Sequence, residues 1–270
     1  MGDIQNNGNP LSVEELEQLL QRVGSVPYLN AAPLVCGLEG RIRMLPPSHL
    51  ARELRSGVLD AGLVSITEVL FHDAYDLLDG LGVASDGEVY SVFLAHRVPL
   101  EAIRTVRCDT ASLTSVNLLR VLLAERGIRP EFEPLRQVGD AAEEEAVLLI
   151  GDQAIAFRKE NHDHSIWDLG LAWKTMTGHS FVFAAWALRR AADTKAIRRE
   201  LMLAGERGQR NLQAVIRDAR GFDEAFRREY LTRYTHHELT VSDKAGVTHF
   251  VELLRRHGSQ PVYGPRWVSV

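Results

Sequence analysis

The sequence predicts an α/β protein with two lobes, in which mostly parallel sheets are covered by helices on both faces. Short apolar runs alternate with helical patterns from residue 23 to residue 71, in the order strand, helix, strand, helix, strand, helix. The same alternation returns from residue 103 to residue 159. A chain of 270 residues has room for two units of this kind, so we expect two lobes.

The composition is that of an ordinary globular protein, with 45% hydrophobic and 25% charged residues. A net charge of -5 offers no basic face, so we expect no nucleic-acid partner. Cys36 and Cys108 are the only cysteines, too few for a disulfide framework or a thiolate metal site, which predicts the reducing cytoplasm. We expect no signal peptide, and no segment reaches the roughly 18 apolar residues of a membrane span, which predicts no membrane association.

The opening unit, residues 23–38, follows a predicted N-terminal extension over residues 1–20 that carries one helix. The unit begins with a short apolar run, which predicts a buried strand ending at Tyr28. Asn30 is then placed to cap a helix, whose free N–H groups and positive dipole end form a seat for an anion. The alternative is that Asn30 caps a helix with a purely structural role.

Periodicity and turn residues divide the rest of the chain. Ser65 follows a short strand and begins a helix in which Glu68 is the expected capping-box partner. Ser112, Thr114 or Ser115 caps the long helix that follows the strand at 103–108. The other expected elements are strands at 41–47, 60–64, 88–97, 131–135, 146–150 and 181–188, a helix at 46–56, loops at 81–87 and 167–180, and helices from 193 onward.

The strands at 90–95 and 181–188 bracket the middle of the chain. If these two strands run side by side, they form a double crossover between the lobes. The first lobe then comprises residues 21–96 and 181–270, and residues 97–180 form a second lobe inserted into it. The C-terminal helices of the first lobe carry an apolar stripe formed by Phe222, Phe226, Tyr230 and Leu231.

Polar residues recur where the predicted strands end, and α/β proteins bind ligands beyond the carboxyl ends of their strands. A neutral cleft rich in hydroxyls, amides and helix starts suits a small anion clamped between two closing lobes. Asp152 is either a general base or a helix cap. The residues expected at this cleft are Asn30, Ser65, Ser91, Thr114, Ser115, Gly151 and Asp152.

Other chemistries have little support in the sequence. No GxGxxG motif follows a strand, and the phosphate-loop lysine motif and the GxSxG elbow are both missing. His162 and His164 form an HxH pair without a third ligand nearby, so we expect no metal site.

Five blocks, in order over residues 22–190, resemble the chorismate dehydratase family of the futalosine route to menaquinone. The family is similar in fold to type II periplasmic binding proteins, which implies two α/β lobes, a central cleft and two hinge strands. One departure is that His179 and Ser180 replace the usual hydrophobic residue and Pro, which puts the local loop conformation in question. The blocks are SVPYLNAAPL, PSHLARELRSGVLDAGLVS, LTSVNLL, LLIGDQAI and DLGLAWKTMTGHSFVFAAWA.

The resemblance implies that chorismate loses water to give an enolpyruvyl-benzoate, with no metal and no organic cofactor. Asn30 and Ser91 would lie nearest the reacting atoms and donate to the leaving hydroxyl or the ring carboxylate. Thr114 and Ser115 would bind the other carboxylate. Tyr28, Ser65 and the turn of Gly151 and Asp152 would complete the wall. The base is either Asp152 or a carboxylate of the substrate.

Two alternatives remain open at this point. The 1,4-dihydroxy-6-naphthoate synthase of the same pathway shares the fold, but its opening block has a cysteine and Asn-Asp where this chain has YLNAAP. A cytoplasmic small-anion binding protein of the solute-receptor fold would bind without catalysis. The oligomeric state does not follow from the sequence.

Overall fold

The computed structural model describes residues 12–108 and 113–270, and its strands form two separate sheets. The strands are β1 (Val23–Ser25), β2 (Arg43–Met44), β3 (Ala61–Ser65), β4 (Tyr75–Ser85), β5 (Val92–His96), β6 (Thr105–Cys108), β7 (Glu131–Pro134), β8 (Ala146–Ile150), β9 (Ser165–Asp168), β10 (Phe181–Arg189), β11 (His236–Glu238) and β12 (Trp267–Val268). The α-helices are α1 (Val13–Leu20), α2 (Pro47–Ser56), α3 (Ile66–Phe71), α4 (Leu113–Glu125), α5 (Gly151–Lys159), α6 (Leu169–Thr177), α7 (Lys195–Arg210), α8 (Leu212–Asp218), α9 (Glu224–Glu229) and α10 (Val241–His257).

The described residues also contain four shorter helical segments. They are the 3-10 turns Leu29–Leu34, Leu100–Ala102 and Val138–Glu143, and the π-helical turn Tyr230–Tyr234. Across the two described ranges, no helix combines the length and the apolar character that crossing a membrane requires.

Both sheets mix parallel and antiparallel strands. The first has the order β11-β4-β10-β3-β1-β2, with β12 also paired to β4, and the second has the order β7-β6-β8-β5-β9. β1 runs parallel to β2 and β3, whereas β10 runs antiparallel to β3 and β4. In the second sheet, β6 runs parallel to β7 and β8, and β5 runs antiparallel to β8 and β9. The prediction of mostly parallel sheets is therefore wrong. β5 and β10 follow crossings between sheets, whereas parallel neighbours arise from strand–helix–strand returns.

The two strands expected to lie side by side belong to different sheets. β5 pairs with β8 and β9, and β10 pairs with β3 and β4. The chain therefore crosses between the sheets at 86–91 and again at 169–180, and β5 already lies in the second sheet. The lobe boundaries at residues 97 and 180 stay a prediction.

Two expected loops are regular elements. Residues 81–85 are the end of the long strand β4, and glycine is needed at 82 because a Cβ there would lie 2.8 Å from the Ala184 carbonyl. Residues 169–177 form α6, which Asp168 caps by accepting the Leu171 N–H at 3.0 Å. Gly178 ends this helix in the left-handed conformation, with φ of 75°.

Several elements agree closely with their predicted positions. α2 begins at a proline and ends at Gly57, whose φ is 80°. β7 is an edge strand and β8 is buried along its whole length, both as expected. α1, within the predicted extension, packs on the fold, because Leu20 is fully buried and Leu16 and Leu19 contact the same core.

The unusual Ser180 has a structural role. Its hydroxyl donates to the Asp243 carboxylate at 2.6 Å. Asp243 also accepts the Thr240 N–H at 2.7 Å, which completes the N-terminal cap of α10. Serine at this position thus joins the start of β10 to the start of α10, a contact that proline could not make.

Candidate active site

A cavity of about 210 Å³ lies between the two sheets. Its walls are largely apolar, and its polar groups come from both sheets and from the helices that follow them. The apolar lining is Val26, Pro47, Ala51, Leu63, Val64, Val83, Val89, Val92, Leu113, Ile150, Phe183 and Ala184. The polar lining is Tyr28, Asn30, Ser48, Arg55, Ser65, Glu68, Ser91 and Ser115, together with Gly151. Most of the residues predicted from the sequence therefore meet at one cavity.

Asn30 lies inside the 3-10 turn Leu29–Leu34 and does not cap it. Tyr28 holds the cap position and makes no side-chain cap bond, so the predicted cap at Asn30 is wrong. From this turn, which contains a proline at position 33, Asn30 contributes to the cavity lining. The turn is fixed by His237, whose Nε2 donates to the Asn30 carbonyl at 2.7 Å. Burial lowers the pKa of His237 to about 4, so the imidazole is neutral near pH 7.

Ser91 is placed by a strained turn. Tyr90, immediately before it, has a φ of 67°, in the left-handed region that aromatic residues rarely adopt. The Ser91 N–H donates to the Val89 carbonyl at 2.7 Å, which closes a γ-turn centred on Tyr90. The Ser91 carbonyl in turn accepts the Gly151 N–H at 2.8 Å, which links the turn to the start of α5.

The buried carboxylate of Asp168 holds this turn. It accepts the N–H groups of Val89 at 3.1 Å and Tyr90 at 2.8 Å, in addition to the cap bond that begins α6. Burial raises the pKa of Asp168, although the three backbone donors act in the opposite direction. The Arg158 guanidinium lies 4.1 Å from the centre of the Tyr90 ring. Strain at Tyr90 is thus balanced by contacts from Asp168 at the end of β9 and from Arg158 in α5.

Tyr230 joins the two residues expected to act on the substrate. Its hydroxyl lies 2.7 Å from the Ser91 Oγ, and the Asn30 side chain makes a further hydrogen bond to it. Complete burial raises the pKa of Tyr230 to about 12, so the phenol stays protonated. In the sequence, Tyr230 belongs to an apolar stripe, and this pattern does not indicate its role at the cavity. It opens a π-helical turn, a feature often found at functional sites, but no sequence period marks it.

Ser65 and Thr114 form a link between the first sheet and α4. The Ser65 Oγ accepts the Thr114 N–H at 3.2 Å, and the two hydroxyls also hydrogen bond to each other. Thr114 is fully buried behind Ser65 and does not line the cavity, whereas Ser115 does. The expected capping box of α3 is wrong, because Ser65 makes no cap bond to its own helix. Ser112, the third candidate cap of α4, lies outside the described residues.

Gly151 and Asp152 begin α5 directly after β8. Gly151 has a φ of 60° and lines the cavity, where a side chain would be strained. Asp152 is half-buried in the first turn of the helix but is not part of the cavity lining. Burial raises the pKa of its carboxyl group. The structure therefore places Asp152 beside the cavity wall, and it does not cap α5, since residue 150 holds the cap position.

An ion pair in the cavity wall was not predicted. Arg55 Nη1 lies 2.7 Å from Glu68 Oε2, and both side chains contribute to the lining. The Tyr75 hydroxyl donates to Glu68 Oε1 at 3.4 Å. The pair adds one positive and one negative group to a cleft that was expected to be neutral, so the net charge of the lining does not change. Arg55 lies in the last turn of α2 and Glu68 lies in the first turn of α3, and nothing in their spacing indicates that they meet.

The predicted HxH pair lies outside the cavity lining, between α5 and β9. His162 stacks on Phe157 with ring centres 4.5 Å apart, and the His162 and His164 rings are 5.7 Å apart. Neither histidine contributes to the cavity lining.

The cavity can hold a flat, anionic ring. Apolar side chains line the walls that the faces of such a ring would contact, hydroxyl and amide groups lie at Asn30 and Ser91, and a guanidinium is available at Arg55. Ser115 and Gly151 add the starts of α4 and α5, where backbone N–H groups favour negative charge. This arrangement suits a ligand with more than one carboxylate.

Comparisons with known proteins agree with this description. A family model described as menaquinone biosynthesis matches residues 21–256. A chorismate dehydratase of Thermus thermophilus is 35% identical over 258 residues, covering 86% of this chain and 94% of that protein.

Solved structures show the fold. An alkanesulfonate-binding protein of Xanthomonas axonopodis pv. citri, solved with MOPS, has a TM-score of 0.60 at 13% identity, over 92% of this chain and 97% of that one. The periplasmic aliphatic sulphonate-binding protein of Escherichia coli has a TM-score of 0.58 at 14% identity, over 91% and 92% of the two chains. The predicted fold of the periplasmic-binding-protein type is confirmed.

Proposed function

The chain belongs to the menaquinone biosynthesis family, and from this membership we propose that it is a chorismate dehydratase. The reaction removes water from chorismate and gives 3-[(1-carboxyvinyl)oxy]benzoate, which makes the enzyme a hydro-lyase. The observation that carries the proposal is the 35% identity to a chorismate dehydratase over 86% of this chain. The location of the enzyme in the cytoplasm stays a prediction.

The chemistry requires a proton and a hydroxyl to leave neighbouring ring carbons. Removal of the proton beside the ether oxygen gives an anion that is conjugated through a ring double bond to the ring carboxylate. Loss of the adjacent hydroxyl then makes the ring aromatic, which supplies much of the driving force. The protein must hold the ring, stabilise the developing charge with fixed donors and exclude water.

We assign Asn30 and Ser91 to the end of the cavity that holds the two reacting ring carbons. Both line the cavity and both bond to the buried Tyr230 hydroxyl, so their donors are fixed before the substrate arrives. They would donate to the departing hydroxyl and to charge that develops beside it. Tyr28 lies next to them on the same wall.

The carboxylates of the substrate need donors of their own. Ser65, Ser115 and the Gly151 N-terminus of α5 line the cavity and supply hydroxyl and backbone groups for them. Thr114 supports this set indirectly, since its own hydroxyl is buried against Ser65 and Thr67. No metal and no organic cofactor enters the proposed reaction.

Two groups are candidates for the base that removes the ring proton: Asp152 and a carboxylate of the substrate. Asp152 is half-buried with a raised pKa, which suits a base, but it does not line the cavity. A carboxylate of the substrate folded over the ring would reach the proton without any protein group. The position of Asp152 favours this substrate-assisted version.

One experiment separates catalysis from binding. The purified protein is mixed with chorismate, and the mixture is analysed by mass spectrometry for an aromatic product lighter than chorismate by one water. Formation of that product at a rate proportional to enzyme concentration supports the proposal. Chorismate that is bound and recovered unchanged would instead indicate a small-anion binding protein, the alternative that shares this fold.

A further inference from the structure

We propose that Arg55 binds the ring carboxylate of the substrate and that Glu68 holds the Arg55 guanidinium in position. This inference rests on the proposed dehydratase function, because it assigns one part of chorismate to one part of the cavity. Among the cavity-lining residues in the described part of the chain, Arg55 and Glu68 are the only two with formal charges.

The exposure of the two side chains shows which of them can meet a ligand. The Arg55 side chain is 42% exposed, whereas that of Glu68 is only 1% exposed. The guanidinium therefore presents the charge to the cavity, and an anionic ligand does not meet the carboxylate first. Glu68 is also engaged by the Tyr75 hydroxyl at 3.4 Å, which leaves it poorly placed to act as a base.

Part of the Arg55 guanidinium is available to bind a ligand. Within residues 12–108 and 113–270, its only hydrogen bond is from Nη1 to Glu68 at 2.7 Å, so Nε and Nη2 have no protein acceptor. These two N–H groups form the edge that binds a carboxylate in a bidentate manner. Glu68 fixes the plane of the guanidinium by binding its other side, which lowers the entropic cost of ligand binding.

The position of Arg55 selects one of the two carboxylates. Asn30 and Ser91 form one polar cluster in the cavity wall, because both lie beside the Tyr230 hydroxyl. Arg55 belongs to a second polar cluster with Glu68, which lies one turn of α3 beyond Ser65. In chorismate, the ring carboxylate is para to the hydroxyl that leaves. With the hydroxyl at Asn30 and Ser91, that carboxylate lies at the opposite side of the ring, and the proposal assigns it to Arg55. Negative charge from the deprotonated ring carbon is delocalised into this carboxylate, so Arg55 also stabilises the transition state.

The test compares two ligands on matched variants by isothermal titration calorimetry. One ligand is 3-[(1-carboxyvinyl)oxy]benzoate, and the other is 2-phenoxyacrylate, which keeps the enolpyruvyl ether but lacks the ring carboxylate. We expect Arg55→Gln to weaken binding of the first ligand at least tenfold and to change binding of the second less than threefold. The kcat/KM for chorismate should also fall at least tenfold.

Two further variants keep the test decisive. Arg55→Gln removes the guanidinium that faces the buried Glu68 carboxylate. The double variant Arg55→Gln/Glu68→Gln removes both charges and should show the same ligand selectivity if the single variant folds poorly. Arg52→Gln changes an exposed arginine on the same helix and should leave both affinities unchanged. Equal losses for the two ligands, or no loss for either, would overturn the assignment of Arg55.

The two proposals fail in different ways. Wild-type protein that prefers the benzoate ligand through Arg55 but never converts chorismate would refute the dehydratase function and leave Arg55 as a carboxylate receptor. Wild-type protein that converts chorismate, with Arg55→Gln binding the benzoate ligand as before, would refute only the role of Arg55.

Discussion

The hydroxyl oxygens of Ser91 and Tyr230 lie 2.7 Å apart behind the cavity, joining residues that are 139 positions apart in the chain. Ser91 stands at the first crossing between the sheets, and Tyr230 opens a turn among the C-terminal helices. Both side chains are about 1% exposed, so water does not compete for this bond. The proposed reacting end of the cavity is therefore supported by a segment that contributes nothing to its lining.

Tyr230→Phe should lower kcat for chorismate about tenfold, because Ser91 and Asn30 lose the group that orients both of them. The free energy of unfolding should fall by about 1–3 kcal/mol, since a buried serine hydroxyl loses its partner. Steady-state kinetics and urea denaturation measure the two effects. Tyr234→Phe is the matched control, because its hydroxyl bonds to Glu229 at 3.2 Å away from Ser91. Equal kcat values for the two variants would refute the positioning role.

Asp168→Ala should lower the free energy of unfolding by about 3 kcal/mol, because three N–H groups, one of them fully buried, lose their acceptor and the strained Tyr90 turn loses its support. The kcat for chorismate should fall as well, since Ser91 follows that turn directly. Urea denaturation and kinetics of the same preparation test this. Asp163→Ala removes an exposed carboxylate just before β9 and should have little effect. A fully active Asp168→Ala protein would show that the turn does not depend on this carboxylate.

The pH dependence of stability should carry a contribution from His237. The pKa of this histidine is about 4 in the folded protein and 6.5 when unfolded, so the unfolded chain takes up the proton first as pH falls. The stabilisation is complete above pH 6.5 and is lost between pH 6.5 and pH 4, with a total on the order of 3 kcal/mol.

Urea denaturation of wild-type protein and of His237→Gln at several pH values isolates this effect, because other groups cancel in the difference. We expect the stability difference between the two proteins to shrink as the solution is acidified from pH 6.5 toward pH 4. A difference that stays constant over this range would mean that His237 is not held neutral by the fold.

Asp152→Asn should retain kcat for chorismate within about threefold, because Asp152 lies outside the cavity lining and the proposed base is a carboxylate of the substrate. Kinetics and chorismate binding are measured together on the variant. A protein that binds chorismate with normal affinity but does not convert it would identify Asp152 as the base. Asp140→Asn is the control for the loss of one negative charge, because Asp140 is exposed in the turn that precedes β8.

Local patterns located many of the elements. β8 is a continuous apolar run and is buried throughout, and α2 is bounded by a proline and a left-handed glycine. Such features depend on residues within a few positions of one another, so the sequence shows them directly. β4 and α6 were missed because glycines and polar caps within them also mark loops, and only pairing with β10 or docking of the helix decides between the two.

The residues of the candidate site also fall into two groups, those that the sequence identifies and those that it does not. The hydroxyls and amides at strand ends, among them Asn30, Ser65 and Ser91, could be named from the sequence because an α/β fold brings such ends together. Their partners could not be named. Tyr230 was assigned to an apolar stripe, and nothing local distinguishes His237, Asp168 or Arg55 from other residues of their type.

The sequence by itself determined the class of fold, the family and most of the polar cavity wall, because these depend on periodicity, turn chemistry and blocks of residues close together in the chain. Only the tertiary structure decided how the strands pair, that Thr114 and Asp152 lie off the wall, and that Arg55 meets Glu68 inside it. These outcomes depend on contacts between residues distant in the chain, whose geometry is fixed by how the two sheets and the C-terminal helices pack.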